Sequence, residues 1–177
     1  DEVEEIKKEA KRIVEDLKRR NEELKRRLER LVEEVKKRNE ESKKRLEDIV
    51  RKIKEDIKDG RSEVVKEVEE IIDRLVKESE KSLRDLEKTV EDLVRDSRRS
   101  LEDARRIVDE LLKILDRGDK DLKEVRKTLE KARKENEDVI RKIEEDAKEV
   151  LRRDEESNRD INRKVDEVRK RVEERRK

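Results

Sequence analysis

Residues 3–35 read VEEIKKEAKRIVEDLKRRNEELKRRLERLVEEV, and the spacing of their apolar side chains decides the fold. The frame occupies positions 3, 6, 10, 13, 14 and 17. It returns as 21, 24, 28, 31, 32 and 35, then as 39, 42, 46, 49, 50 and 53, with a last turn at Ile57. Eighteen residues make five turns at 3.6 residues per turn, so the stripe runs parallel to an undistorted helix axis. A heptad repeat would drift and force a left-handed supercoil; this one does not. The same frame governs the middle third (Val65, Leu83, Leu101; Val68, Leu86, Ala104; Ile72, Val90, Val108) and the last (Val125, Ile143, Ile161; Leu129, Ala147, Val165; Ala132, Val150, Val168).

The chain is punctuated twice. Gly60 and Gly118 are the only glycines and proline is absent, so the 177 residues divide into three segments of nearly equal length. Glycine just past a helix end accepts the left-handed conformation found there. Ser62 and Asp119 then stand as N-caps for the helices that follow, and Asp1 with Glu4 resembles a capping box. The expected elements are helices 1–58, 62–116 and 119–177, each roughly 85 Å long at helical rise. Together they form one domain, residues 1–177.

Projected at 100° per residue, each helix carries one apolar stripe, roughly 100° to 140° wide, and no second one. Three such faces close around a shared axis and use up the apolar surface. The expected fold is all-α: an elongated, straight, untwisted, antiparallel up-down-up three-helix bundle, coiled-coil-like in its seam. Charged residues make up 63% of the chain and hydrophobic ones 28%, a balance that would suggest disorder were the apolar residues not confined to one face per segment. Outside the stripes, acids precede bases by four positions, as in Glu22–Arg26, Glu23–Arg27, Glu33–Lys37, Glu40–Lys44 and Glu47–Arg51, the favourable orientation for helix pairs.

Polar residues intrude on the stripes. Asn21 and Asn39 occupy the frame position of Val3, and Ser42 that of Ile6 and Leu24. Ser82 and Ser100 share a frame with Val64, Ser79 and Ser97 with Leu115, Asn136 and Asp154 with Val172, Ser157 with Val139, and Asn158 with Leu122 and Ile140. In an antiparallel hairpin, residues at one level have a constant index sum. Asn39 with Ser82, Ser42 with Ser79 and Asn21 with Ser100 share one sum, centred on Gly60–Arg61. Ser82 with Asp154, Ser79 with Ser157 and Ser100 with Asn136 share another, centred on Gly118. Two polar layers are therefore expected, about 27 Å apart at helical rise. The first holds Asn21, Ser97, Ser100 and Asn136. The second holds Asn39, Ser42, Ser79, Ser82, Asp154, Ser157 and Asn158. Asp154 must accept hydrogen bonds from Asn39, Ser82 or a nearby Arg or Lys, or else take up a proton. Thr89 and Thr128 are boundary positions or bond back to their own helices.

Layers of this kind fix register and association by stranding amides in any slipped arrangement. A ligand site is the weaker reading. Histidine and cysteine are absent, which removes imidazole and thiolate ligands, and one carboxylate falls short of a di-metal site. Serine has no histidine base to activate it, the two isolated glycines make no phosphate loop, and no enzyme activity or cofactor is expected. With a net charge of +1 and no aromatic residue, neither nucleic acid nor a membrane surface is an expected partner. No targeting signal is visible, and localisation is left open.

These features resemble de novo designed helical bundles built on ideal parametric backbones, with hydrogen-bond networks in the core. The resemblance covers all 177 residues. It rests on the 18-residue repeat, the Asp59-Gly60 and Gly118-Asp119 turns, equal helix lengths, and helices written almost entirely in Glu, Lys, Arg, Asp, Val, Ile and Leu. It implies a hyperstable monomeric scaffold without a natural biochemical function, expressed in the cytoplasm of a host. The alternative is an interaction module, or a homo-oligomer subunit, pairing through the broad second-helix stripe of Val65, Ile72, Val76, Leu83, Val90, Val94, Leu101, Val108 and Leu112.

Overall fold

A computed structural model describes residues 1–56, 62–118 and 121–176. They form three α-helices packed against each other: α1 (Glu2–Asp56), α2 (Ser62–Asp116) and α3 (Leu122–Arg176). The chain is an all-α three-helix bundle. Gly60, Ile57 and Asp119 lie outside the described residues, as does the side chain of Ser62.

The helix ends follow from local chemistry. Asp1 Oδ1 accepts a hydrogen bond from the Val3 amide at 3.2 Å, satisfying one of the free amides of the first turn of α1. At the end of α2 the Arg117 amide reaches the Lys113 carbonyl at 3.3 Å and the Gly118 amide reaches Leu115 at 3.2 Å. Gly118 then turns left-handed, with φ +71°. α3 begins at Leu122, three residues later than the sequence suggested. Its cap is Asp121, whose Oδ1 accepts from the Lys123 amide at 3.1 Å.

The contacts group into two compact units, each drawing a stretch from all three helices. Unit 1 comprises Asp1–Arg30 and Val90–Lys148; unit 2 comprises Leu31–Thr89 and Glu149–Lys177. Unit 1 buries Ile6, Ile13 and Leu17 of α1 against Val108, Leu111 and Leu115 of α2 and Val125 and Leu129 of α3. Unit 2 buries Leu46, Ile49 and Ile53 against Val68, Ile72 and Leu75 and against Ile161, Val165 and Val168. All of these are aliphatic side chains, each worth about 1.5–3 kcal/mol when fully buried.

Charged residues flanking the stripes join the helices and reveal their directions. In unit 1, Arg20 pairs with Glu137 at 2.7 Å and Arg27 with Glu144 at 3.7 Å. The constant offset means that α1 and α3 run parallel. In unit 2, Lys36 meets Glu87 and Lys43 meets Glu80, both at 3.7 Å, and Lys54 meets Glu69. There one index rises as the other falls, so α1 and α2 run antiparallel. None of the five expected i,i+4 pairs is an ion pair among the described residues; Arg27 crosses to α3, and Arg51 takes Asp48 at 3.0 Å rather than Glu47. Thr89 and Thr128 hydrogen-bond to the carbonyls of Asp85 and Glu124, each at 2.9 Å.

Nothing lies within 4 Å of a Cβ added at Gly118, so its requirement is conformational rather than steric. Gly118→Ala should therefore destabilise the bundle by about 1–2 kcal/mol, the cost of a left-handed non-glycine residue. Denaturant unfolding followed by circular dichroism measures it, and no loss would mean that the α2 end can relax to negative φ.

Candidate functional site: the buried polar layers

A helix interior offers no hydrogen-bond partners for a side chain turned inward, since its backbone groups are already bonded to one another. Inward polar side chains must find partners on neighbouring helices or on a carbonyl one turn back. In unit 1 they do both. Asn21 donates from Nδ2 to the Leu17 carbonyl at 2.6 Å and to Asn136 Oδ1 at 3.1 Å. Its Oδ1 accepts from the Ser97 hydroxyl. Asn136 in turn donates from Nδ2 to Ser100 Oγ at 2.9 Å. The result is a continuous chain, Ser97–Asn21–Asn136–Ser100, that passes from α2 through α1 and α3 and back to α2. Asn136 is only 1% exposed, and Asn21 and Ser97 are also buried.

The expected pairing of Asn21 with Ser100 is replaced by Asn21 with Ser97. The index sum sets the height of a residue, whereas its angle around the helix sets which neighbour it faces. Ser97 reaches α1, and Ser100, half-buried and three residues on, reaches α3. Two features escaped the sequence reading. The Leu17 carbonyl absorbs a second bond from Asn21. Ala104 and Ala132 line, with Ser100 and Asn136, a half-open cavity of about 420 Å³ between α2 and α3. The signal for the cavity was present, because the two alanines share the index sum of Ser100 and Asn136.

The layer in unit 2 is assembled less completely. Ser79 donates to Asn39 Oδ1 at 3.4 Å, and Asn158 Nδ2 donates to Asp154 Oδ2 at 3.4 Å. Both lie beyond the usual N–H···O and O–H···O range and are weak. Asn39 Nδ2 is buried with no partner among the described residues, a loss of roughly 1–3 kcal/mol. Ser42, Ser82, Ser157 and Asn158 are half-buried at the rim. Asn39 meets Ser79, where the index sums suggested Ser82 and Asp154. Ser82 and Asp154 instead line a separate half-open cavity between α2 and α3.

Asp154 is 4% exposed. Burial pushes its carboxyl above the ordinary carboxylate range, while the Arg38 charge pulls it back and Glu155 adds to the rise. Asp154 accepts one long hydrogen bond, from Asn158, and burial makes its carboxyl hold a proton more tightly than an exposed one. On the exposed face of α3, by contrast, Arg152 lies between Glu149 and Glu156, and its hydrogen bond holds the Glu149 carboxyl below the usual range.

Among the described residues no group of three or more His, Cys, Asp or Glu is arranged to hold a metal ion, and no helix is long and apolar enough to cross a membrane. No family model, curated protein or solved structure matches the chain.

The folded state holds the Asp154 proton more tightly than the unfolded chain does. This group therefore favours folding below the ordinary carboxylate pKa, and the advantage is lost as pH rises through its raised folded value. Asp154→Asn should raise the unfolding midpoint near pH 7 and change it little at about pH 3, where the carboxyl is protonated in both states. Melts of the two proteins across pH test this. A variant less stable than the parent at neutral pH would mean that the charged carboxylate is well partnered.

Proposed function

We propose that this chain is a structural scaffold of the designed-bundle kind, whose polar layers set helix register and association and carry no chemistry. The observation behind this reading is the Ser97–Asn21–Asn136–Ser100 chain. It ties side chains of three helices of the same unit to one another. A helix slid by one turn would set these amides against Leu and Val, each stranded group costing roughly 1–3 kcal/mol. The absence of His and Cys from the sequence fits the same reading, because the usual bases, nucleophiles and metal ligands are missing with them.

The interaction-module alternative needs an open apolar face on α2. Ile72, Val90 and Val108 are buried, Val65, Val76, Leu83, Val94, Leu101 and Leu112 are half-buried, and no large hydrophobic is exposed among the described residues. That supports a monomer over a subunit awaiting a partner.

Mutation of the first layer separates a specificity role from a chemical one. Asn21→Val alone should destabilise by roughly 1–3 kcal/mol, because Ser97 and Asn136 lose a partner without gaining water. Replacing Asn21, Ser97, Ser100 and Asn136 together by Val, Ala and Leu should leave the fold as stable or more so. The same change should broaden the distribution of association states seen by analytical ultracentrifugation, in which the parent should run as a monomer. A harmless single change with a ruinous full replacement would overturn the scaffold reading.

A further inference from the structure

The cavity between α2 and α3 in unit 2 has a volume of about 410 Å³. Its walls include Leu86 and Val150, with Ser82 and Asp154 beside them. Asp154 is the unusual group here. It is almost wholly buried, and it accepts only the long bond from Asn158 among the described residues. A carboxylate removed from water needs a proton, several donors or a cation beside it.

The cations nearby are committed elsewhere or held in water. On α1, Arg38 pairs with Glu155 at 3.9 Å. On α3, Arg153 turns its Nε to Glu149 at 3.4 Å. On α2, Lys81 is exposed at the cavity wall beside Glu78 and Asp85, and Glu78 pairs with Lys164 of α3 at 3.7 Å. The charged lining therefore carries more acid than base. The space is ample for a short chain, since a water molecule takes about 30 Å³ of liquid.

We propose that this cavity binds a small primary ammonium ion, with the Asp154 carboxylate and the Ser82 hydroxyl accepting its N–H bonds and Leu86 and Val150 covering its alkyl chain. The ammonium group supplies both things the carboxylate lacks, a counter-charge and donors that can approach from the open side. A proton competes for the same carboxylate, so binding weakens as pH falls. A ligand of a few heavy atoms binds with a dissociation constant on the order of millimolar. The site involves unit 2 alone and does not depend on the role proposed for the first layer.

The test titrates the full chain near neutral pH with butylammonium chloride, following the Asp154 carboxyl and the Asn158 and Asn39 side-chain amides by NMR. Sodium chloride controls for ionic strength, and tetramethylammonium chloride supplies the charge without an N–H donor. The expected result is a saturating shift at Asp154 and Asn158 with butylammonium only, and a fall in the apparent Asp154 pKa. Asp154→Asn should weaken binding at least about tenfold, the loss of one charge-assisted hydrogen bond. Ser82→Ala keeps the carboxylate and should weaken it several-fold, which secures the test should Asp154→Asn fold poorly. Shifts that rise linearly, appear equally with tetramethylammonium, or survive both substitutions would overturn the proposal.

Discussion

Each helix of this protein carries a single apolar stripe made only of aliphatic side chains, and that stripe can leave water only by meeting two others. With no aromatic ring to fill space or anchor an irregular packing, the core must be built from many similar contacts repeated along the axes. Leu17, Leu28, Val35 and Val108 each fall below 3% exposure by this route. Such a core is forgiving of sliding and of rotation, because one Leu or Val resembles the next. Whatever specifies the arrangement must come from groups that are not interchangeable.

The two polar layers supply that in unequal measure, and the difference is chemical. Asparagine brings a donor and an acceptor, and serine adapts its hydroxyl to either role. Asn21 and Asn136 can therefore each donate and accept within one chain, with the Ser97 hydroxyl donating at one end and the Ser100 oxygen accepting at the other. Asp154 brings only acceptors when ionised, and its layer offers it one amide from its own helix. Asn39, left with an unmatched Nδ2, shows the same shortage from the donor side. Among its described residues, unit 2 thus contains both an unmet donor and an under-bonded acceptor.

The sequence was legible where one index carries the information. The 18-residue frame gave the helices and their inward faces because burial repeats with the turn of the helix, and the index sums brought Asn21, Ser97, Ser100 and Asn136 together. Partner choice was less legible. Ser97 and Ser100 differ by about 4.5 Å in height at helical rise, and their angles about α2 send one to α1 and the other to α3. Long charged side chains were less readable still. Arg51 can reach Glu47 or Asp48, and Arg27 can leave its own helix for Glu144, at energies that differ by fractions of a kcal/mol. The cap of α3 went to Asp121 because Asp-Lys-Asp follows Gly118, and either aspartate has the chemistry to serve.

The charged flanks of unit 2 have a consequence for chirality. α1 offers Lys36, Lys43 and Lys54 to α2 and Arg38 to α3, while α3 offers Lys164 to Glu78 of α2. Three helices can wind around a common centre clockwise or anticlockwise, and an aliphatic core hardly distinguishes these mirror-related arrangements. Exchanging them swaps the two flanks of every helix. The lysines of α1 would then face Lys164, and Glu69, Glu80 and Glu87 of α2 would face Glu155, leaving two of the three seams like-charged. Each exposed pair is worth at most about 1 kcal/mol, but they all favour the same winding.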